Sequence, residues 1–427
     1  QSVGEVMSMA STFTESLTKA IRSLEIGKTG IRNIDNRFIN LDRLELEKEI
    51  AVPRPRRIFA VLEALRRNWS VSKISNLSYI DEWFLFEIEK SFNVNQETTP
   101  TTILKMLGWT EDDIDIKDIK DELSKNRVYK LVDTCSAEFS SITPYLYSTT
   151  GTEDDDISSN KEKVVVIGSG PNRIGQGIEF DYCCVHGVDA LKENGYEAIM
   201  INSNPETVST DYDTADKLYF EPLNWQEVEA VLLRENPKSV VIQLGGQTPL
   251  KLAEKIVEKG YTIAGSSIEV IDSTEDRELF QKLCTKENIK QPISNIAANV
   301  KELSDSVTQI GYPVLLRPSY VLGGRAMRVV NNETELSNYL DVLSKSDEDG
   351  NPFNSGPLLV DEYLTNAIEI DVDLISDGTD VVIAGILEHL EPAGVHSGDS
   401  TAVLPPYSIE ENMLAEIRDK SIKLALS

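Results

Sequence analysis

Two arginines separated by a glycine turn give the strongest chemical signal in the sequence. Arg317 follows an apolar run, Arg325 comes eight residues later, and Gly323 and Gly324 stand between them. Guanidinium groups bind phosphate oxygens tightly, and glycines let the connecting backbone move. The spacing therefore indicates a flexible segment that grips phosphate, with a surface hairpin held by two salt bridges as the alternative. Arg277 is a candidate for a third phosphate contact.

Acidic and histidine side chains concentrate further along the chain. Glu369, Asp371 and Asp373 alternate with apolar residues, so we expect a strand that carries three carboxylates on one face. Such a face suits hydroxyls, cations or water, and plain solvent exposure is the alternative. His389 and His396 are two of the three histidines in the chain. No third soft ligand lies nearby, which favours a polar substrate loop over a zinc site.

Three polar or glycine-rich loops follow apolar runs. Residues 168–177 are glycine-rich and open a predicted helix, but the glycines do not match the dinucleotide-binding spacing. Tight strand-to-helix packing therefore explains them as well as phosphate binding does. Residues 202–211 and 243–249 are rich in amide and hydroxyl side chains. Open α/β sheets bind ligands at the carboxyl ends of their strands, so these loops predict a ligand-binding edge.

The elements that position these residues form three zones. Residues 1–145 show helical periodicity, with helices expected over 12–24 and 56–67 and with Ser70 and Asp81 as caps of two more. Residues 148–162 are polar and predict an exposed linker. From Lys163 onward, apolar runs alternate with helical stretches and predict an open α/β sheet. The predicted strands of this sheet cover 163–167, 198–201, 239–242 and 261–264.

The last zone begins near Thr274. Its predicted strands are longer and alternate more strongly between apolar and polar residues, which predicts an α+β segment. A helix should carry Arg277, and Ser408 with Glu411 predicts a capping box for the final helix. That helix continues to the end of the sequence without a glycine cap, and the sequence does not start with methionine. We therefore expect the chain to be part of a longer protein.

Composition narrows the class of protein. The chain has 427 residues, 42 of them basic and 71 acidic, for a net charge of −29. Such acidity argues against nucleic-acid binding and against docking on anionic lipid. No apolar run approaches the roughly 18 residues that cross a bilayer. Four cysteines without a CxxC pair argue for a reducing, cytoplasmic compartment. The helical block is interpreted as an assembly module rather than a DNA-binding one.

Several segments of the chain resemble a known protein family. Residues 163–222, 242–250, 275–280, 317–327 and 388–400 resemble the carboxy-terminal synthetase half of the carbamoyl phosphate synthetase large subunit. Residues 2–7, 80–85 and 132–139 resemble the helical oligomerisation domain of that subunit. The resemblance implies a multidomain chain. Its parts would be an all-α oligomerisation domain (1–147), the linker (148–162), a Rossmann-like α/β pre-ATP-grasp domain (163–275) and an α+β ATP-grasp domain (276–427), incomplete at its C-terminus.

The resemblance also implies an activity. In the family this half transfers phosphate from ATP to carbamate, and the carbamoyl phosphate serves arginine and pyrimidine synthesis. A glutaminase small subunit or domain supplies ammonia, and residues 1–147 would mediate self-association. Two alternatives remain open: a non-catalytic assembly piece, and a generic ATP-grasp ligase that joins a carboxylate to an amine.

Site residues carry over where the motifs match. Arg317 and Arg325 would act on the transferred phosphate. The residues implied to bind ATP are Arg277, Arg317, Glu362, Leu364, Glu369, Gly394, Val395, His396 and Ser397. A monovalent cation such as K⁺ would contact Glu369, His389 and Glu391, although Pro392 departs from the family pattern, as does an insertion at 344–354. The ligands of Mg²⁺ or Mn²⁺ are expected beyond Ser427. We therefore expect this chain alone to make no carbamoyl phosphate.

Overall fold

The structure is a computed structural model that describes residues 5–125, 127–139, 143–155, 159–172, 179–318, 327–345, 357–395 and 399–427. The chain forms two compact units. Among the described residues, the first comprises 5–172 and 179–268, and the second comprises 269–427. The helical zone and the α/β zone predicted from the sequence thus share the first unit.

The first unit begins with a helical block. Thr12 caps the first helix by accepting from the Glu15 N–H. Ser70 and Asp81 cap the helices that follow them, as predicted. Phe59, Leu62 and Leu85 lie in its core with almost no exposed surface. The helices are α1 (Phe13–Ser23), α2 (Asn36–Ile39), α3 (Arg43–Ala51), α4 (Arg57–Arg66), α5 (Val71–Ser78), α6 (Glu82–Phe92), α7 (Thr101–Met106) and α8 (Lys117–Lys125).

A six-stranded sheet follows in the same unit, with the strand order β1-β2-β5-β4-β3-β6. Strands β1 and β2 pair antiparallel, and the other pairs are parallel. The strands are β1 (Val128–Leu131), β2 (Tyr145–Thr149), β3 (Lys163–Ile167), β4 (Glu197–Asn202), β5 (Lys217–Phe220) and β6 (Ser239–Val241). The helices are α9 (Glu179–Glu193), α10 (Trp225–Glu235), α11 (Gln247–Leu250) and α12 (Ala253–Glu258). The predicted strand at 261–264 was wrong, since only Ile263 forms a bridge, to Val240.

Two further expectations are corrected in this sheet. The helical stretch does not extend to 145, because strands β1 and β2 join the sheet through the pairing of Tyr145 with Leu218 on β5. The polar segment 148–162 is not simply an exposed linker. Thr149 is buried at the end of β2, and Asp155 accepts from the Leu131 N–H at 3.0 Å while Arg234 pairs with Asp154. The carboxylates of Asp154 and Asp155 therefore hold this segment in place beside β1.

Buried ion pairs join the helical block to the sheet. The ammonium group of Lys19 on α1 lies 3.0 Å from Glu221, which follows β5, and also donates to the Ser148 carbonyl at 2.9 Å. One turn later, Arg22 pairs with Glu227 on α10 at 2.8 Å. The side chains of both pairs are less than a tenth exposed. Because a buried charge without a partner is costly, these pairs fix the position of α1 on the sheet.

The second unit contains two antiparallel sheets, with the orders β7-β10-β8-β9 and β11-β12-β13. Its strands are β7 (Ser294–Ala297), β8 (Val314–Pro318), β9 (Arg328–Val330), β10 (Leu358–Glu362), β11 (Ile370–Ser376), β12 (Val381–His389) and β13 (Ala402–Val403). Its helices are α13 (Ile268–Glu275), α14 (Arg277–Lys286), α15 (Val300–Ile310), α16 (Glu333–Lys345) and α17 (Glu411–Leu426). Leu303, Val314 and Val360 are fully buried between α15 and the first sheet. This mixture of helices and strands agrees with the predicted α+β segment.

The predicted capping box at Ser408 was wrong. Helix α17 begins at Glu411 with Glu410 as its N-cap and without a capping side chain. The Ser408 hydroxyl donates instead to Glu388, which also accepts from the backbone N–H groups of Tyr407 and Ser408. In the part of the chain that the structure describes, no helix is both long and apolar enough to cross a membrane.

Lys19 provides a test of the attachment between helical block and sheet. The substitution Lys19→Met leaves Glu221 buried without its cation, so we expect the free energy of unfolding to fall by about 3–5 kcal/mol. The double variant Lys19→Met/Glu221→Gln should recover part of this loss, because it removes the uncompensated charge. Urea denaturation followed by circular dichroism measures both. Lys238→Met, at an exposed pair with Glu162, is the control and should cause no measurable change. A loss no larger than that of the control would contradict this role.

Lys105 predicts a pH dependence in the same unit. Burial lowers the pKa of this ammonium group to about 8, and Arg127 adds to the shift. Between pH 8 and the ordinary value near 10.5, the folded chain therefore binds fewer protons here than the unfolded chain, and stability should rise with pH. Lys105→Met should abolish this rise. The difference in the free energy of unfolding between the wild type and the variant should therefore change by at most about 3 kcal/mol from pH 7 to pH 10. Parallel stability profiles would contradict the shift.

Candidate functional site

A row of polar side chains crosses three strands of the first sheet of the second unit. Arg317 lies on β8, and its Nε donates to Asp361 Oδ2 on β10 at 2.5 Å. Ser294, which faces Asp361 across the β7–β10 pair, donates to Asp361 Oδ1, also at 2.5 Å. Arg317 and Asp361 share one face of the sheet because they are diagonal neighbours across the β8–β10 register. The carboxylate thus holds the Arg317 guanidinium through one edge.

Arg277 brings a second guanidinium to this row. It is the first residue of α14, whose start is fixed by the Asp276 carboxylate accepting from the Leu279 N–H at 2.9 Å. Burial lowers the pKa of Arg277, the neighbouring charge of Arg317 lowers it further, and Asp361 opposes both effects. Arg317 is bonded to Asp361, and Arg277 lies close enough to be affected by both charges, so two guanidinium groups lie near this one carboxylate.

A groove opens beside these side chains. Its volume is about 500 Å³, and its walls include Arg277, Glu278, Gln281, Lys282, Thr285, Ser294 and Leu359. Volumes of this size accommodate small organic ligands. Two cations outnumber the one carboxylate in these walls, and with hydroxyl groups and an apolar wall they favour a ligand that combines negative charge with an apolar part.

Glu362 and Leu364 stand at the end of β10, next to this row. The Glu362 carboxylate accepts from the Ile293 N–H at 3.1 Å, and its own N–H donates to the Ile293 carbonyl at 2.7 Å. Leu364 is about half exposed, so its side chain is accessible to a ligand. The structure therefore brings Arg277, Arg317 and Glu362 into neighbouring strands and one helix of the same unit.

A second polar cluster surrounds the end of β12. His389 Nε2 lies 2.9 Å from Asp371 Oδ2, and Nδ1 lies 2.8 Å from the Ser400 hydroxyl. Ser400 in turn donates to Glu391 at 2.9 Å. The Ser400 hydroxyl and the Thr401 N–H lower the pKa of Glu391. The cluster is a continuous chain of hydrogen bonds from Asp371 to Glu391.

Glu369 connects a neighbouring loop to this cluster. It precedes β11 rather than lying in a strand, and its Oε2 accepts from the Gly394 N–H at 3.0 Å. Gly394 has a φ of 97°, which suits glycine and turns the chain there. Asp371 and Asp373 are both exposed on one face of β11, as the alternation predicted.

The three residues that were predicted to contact a monovalent cation are hydrogen-bonded to other protein groups in this structure. Glu369 contacts Gly394, His389 contacts Asp371 and Ser400, and Glu391 contacts Ser400 and Thr401. Within the described ranges, no set of three or more His, Cys, Asp or Glu side chains could hold a metal ion. The cation site therefore stays a prediction. Arg325, His396, Ser397 and most of the insertion at 344–354 lie outside the described residues.

The glycine-rich loop of the first unit supports the packing interpretation. A Cβ atom on Gly168 would approach Asn202 Nδ2 to 2.5 Å, and one on Gly245 would approach the Ile167 carbonyl to 2.4 Å. Asn202 itself accepts from the Gly170 N–H at 3.1 Å and donates to Ser209 at 3.1 Å. Amide side chains at this edge of the sheet thus hold its loops together. Residues 173–178 of the loop lie outside the described residues.

Sequence reasoning missed Asp361 and Ser294. Asp361 lies at the end of an apolar run, no element was predicted at Ser294, and the roles of both depend on which strands become neighbours. The one available signal was the acidic end of the apolar run Leu358-Leu359-Val360-Asp361, because a carboxylate that ends a buried strand usually has a partner.

Three family models match consecutive parts of the chain. "Carbamoyl-phosphate synthetase large chain, oligomerisation domain" matches residues 5–133. "Carbamoyl phosphate synthase preATP-grasp domain" matches 160–273, and "Carbamoyl-phosphate synthase L chain, ATP binding domain" matches 276–427. The chain belongs to the carbamoyl phosphate synthase large-chain family. The resemblance inferred from the motifs is thereby confirmed.

Curated relatives agree with this family. The carbamoyl phosphate synthase large chain of Xanthomonas campestris is 45% identical over 450 residues, which covers all of this chain and 41% of that protein. The large chain of Archaeoglobus fulgidus is 44% identical over 451 residues, again covering 41% of that protein. The chain therefore spans about two fifths of the length of these relatives.

Solved structures of other proteins are more distant. The biotin carboxylase domain of Hydrogenobacter thermophilus 2-oxoglutarate carboxylase, in complex with MgADP, ADP and bicarbonate, aligns with a TM-score of 0.48 at 22% identity. The alignment covers 63% of this chain and 58% of that chain. Campylobacter jejuni biotin carboxylase aligns with a TM-score of 0.47 at 19% identity, covering 62% and 59%.

Proposed function

We propose that the second unit binds ATP and that, within a large chain of carbamoyl phosphate synthase, it serves the phosphorylation of carbamate to carbamoyl phosphate. The observation that carries this proposal is the proximity of two guanidinium groups, with Arg277 in the wall of the groove and Arg317 bonded to Asp361. Excess positive charge beside a groove of this size is suited to a polyphosphate. The family match to an ATP-binding domain at 276–427 supports the same ligand.

The residues divide by the part of the nucleotide that they would contact. Arg277 and Arg317 bind phosphate oxygens, and Arg325 joins Arg317 at the transferred group. Glu362, Leu364 and Glu369 contact the nucleoside, and the loop of Gly394, Val395, His396 and Ser397 lies against it. ATP supplies the phosphoryl group. Because phosphoryl transfer depends chiefly on positioning and charge neutralisation, the fixed guanidinium of Arg317 is the contribution that this chain makes most directly.

Further components complete the proposal. The Mg²⁺ or Mn²⁺ that accompanies ATP would be held by residues outside this chain, and K⁺ would lie near Glu369, His389 and Glu391. A glutaminase subunit or domain would supply ammonia. We assign 1–147 to the oligomerisation domain, 163–275 to the pre-ATP-grasp domain and 276–427 to the ATP-grasp domain.

Nucleotide titration of the purified chain tests this proposal. Arg317→Met should weaken the binding of ATP by about 10- to 100-fold, because a hydrogen bond to a charged group is lost. AMP should bind equally to both proteins, since only the outer phosphates reach the guanidinium groups. Isothermal titration calorimetry with magnesium present measures both affinities.

Arg328→Met is the matched control for this titration. Its guanidinium lies 5.5 Å from the ring of Tyr339 in the same unit, so ATP affinity should not change. Equal affinities of the Arg317 and Arg328 variants, or no saturable ATP binding, would contradict the proposed site. Synthesis of carbamoyl phosphate by this chain alone from ATP, bicarbonate and ammonia would contradict the proposed need for additional residues.

A second role, self-association, is favoured by the surface of helix α6. Trp83, Phe84 and Phe86 are each about two fifths to one half exposed on this helix, and the helical block matches an oligomerisation domain. Exposed aromatic side chains are enriched at protein interfaces. We propose that this face contributes to the contact between copies of the chain.

Sedimentation velocity over a range of protein concentrations tests the self-association. The wild type should sediment faster as concentration rises, and Trp83→Ala should reduce this dependence, since truncating an interface tryptophan commonly costs more than about 1 kcal/mol. Tyr79→Ala, at an exposed residue before α6, is the control for a nearby aromatic loss. A monomer at all concentrations would contradict the role.

A further inference from the structure

A groove on the first unit lies where the helical block meets strand β1 and helix α10. Its volume is about 590 Å³. The lining includes Arg127 and Tyr129 from the start of β1, and Gln226, Ala230, Leu233 and Arg234 from α10. None of these residues belongs to the nucleotide site or to the ion pairs between α1 and the sheet.

Arg127 is buried with most of its hydrogen-bonding capacity unused. Its side chain is only 8% exposed, and the nearest carboxylate, Glu227, lies 3.7 Å from Nη2. Glu227 instead makes a close pair with Arg22 at 2.8 Å. The Nε and Nη1 atoms of Arg127 have no hydrogen-bond partner among the described residues. A guanidinium group taken out of water needs acceptors for these N–H groups.

Tyr129 adds a second unused donor beside Arg127. The residue is 4% exposed, and its hydroxyl oxygen lies beside the Arg127 guanidinium, while the hydroxyl proton meets no acceptor in the described part of the chain. The ring is fixed by the Arg234 guanidinium 4.7 Å above it and by an edge contact with Tyr219 at 5.2 Å. Burial raises the pKa of the phenol above its usual range. The hydroxyl therefore stays protonated and can donate from a fixed position.

The remaining walls select the size and charge of a ligand. The Leu233 side chain is 68% exposed beside Ala230 and offers an apolar surface. Glu111 and Glu229 also line the groove, and their negative charge disfavours a highly charged anion. Glu229 is paired with Lys259 at 2.6 Å.

We propose that this groove binds a small organic oxyanion, with one negatively charged group on Arg127 and Tyr129 and an apolar body along Ala230 and Leu233. A carboxylate and a phosphate share the required acceptor chemistry. The walls favour a singly charged carboxylate. The proposal is independent of the nucleotide site, because all of its residues lie in the first unit.

Two probes distinguish a carboxylate ligand with an apolar body from a simple phosphate. Benzoate carries a carboxylate on an apolar ring, whereas inorganic phosphate carries only the oxyanion. Calorimetric titration of the full chain should show saturable binding of benzoate and weaker binding of phosphate at the same site by competition. Tighter binding of phosphate at this site would also support an oxyanion site but would overturn the role of the apolar wall. No saturable binding of either probe would mean that water alone satisfies Arg127, and would overturn the proposal.

Tyr129→Phe is the critical variant. It removes a hydroxyl whose proton has no acceptor in the described part of the chain, so the melting temperature without ligand should change little. Benzoate affinity should nevertheless fall about 3- to 10-fold, because the bond to a charged acceptor is lost. Arg127→Met should weaken binding by at least about 10-fold. Tyr196→Phe, at a tyrosine of the same unit that bonds to Lys238 on the surface, is the control and should bind normally. Unchanged benzoate affinity in Tyr129→Phe would overturn the proposal, whatever the stability of the Arg127 variant.

Discussion

Lys19 lies between helix α1 and the parallel sheet, and its ammonium group donates to Glu221 and to the Ser148 carbonyl. This contact illustrates a constraint that affects the whole molecule. Acidic residues outnumber basic ones by 71 to 42, so carboxylates are plentiful as partners for buried cations. Lys217, for example, is buried between Glu197 and Glu235. Because such pairs are costly to break, they position the elements that carry them.

Against that background, cations with too few carboxylates are informative. Arg317 pairs with Asp361, and Arg277 lies near both at the edge of a groove without an ion pair of its own among the described residues. Glutamates surround Arg127, but the nearest, Glu227, lies 3.7 Å away and is already paired with Arg22, and Nε and Nη1 meet no acceptor among the described residues. In a chain this acidic, a shortage of close acceptors is not a consequence of composition. It marks positions where a ligand can supply the missing acceptors.

Local interactions were predictable from the sequence, and long-range ones were not. The caps at Thr12, Ser70 and Asp81 depend on residues within one turn of each helix. The apolar runs of β3 and β4 are long enough to indicate buried strands without knowledge of the strands beside them. Strand β5 was missed because the short run Lys217–Phe220 begins with a lysine, whose burial is possible only through distant carboxylates.

The same distinction explains the errors near the site. Ser408 has the spacing of a capping box, but Glu388, twenty residues earlier, competes for its hydroxyl. Likewise, the family motif identified Arg317, whereas Asp361 became visible only once β8 and β10 were paired. The residues that hold a functional group in place are those whose partners lie farthest away in sequence.

The hydrogen bonds around His389 bear on the choice between a monovalent and a divalent cation. Glu391 already accepts from the Ser400 hydroxyl, the Thr401 N–H and the Thr401 hydroxyl, and Glu369 accepts from Gly394. A carboxylate offers about four lone-pair sites, so Glu391 retains about one for a metal, whereas Glu369 retains most of its own. A small divalent cation demands several close oxygens in strict geometry and would have to displace those donors. A large monovalent ion accepts a looser set that includes backbone carbonyls and hydroxyls. The hydrogen bonds of this cluster therefore favour K⁺ over Mg²⁺ as the ion proposed near Glu369, His389 and Glu391.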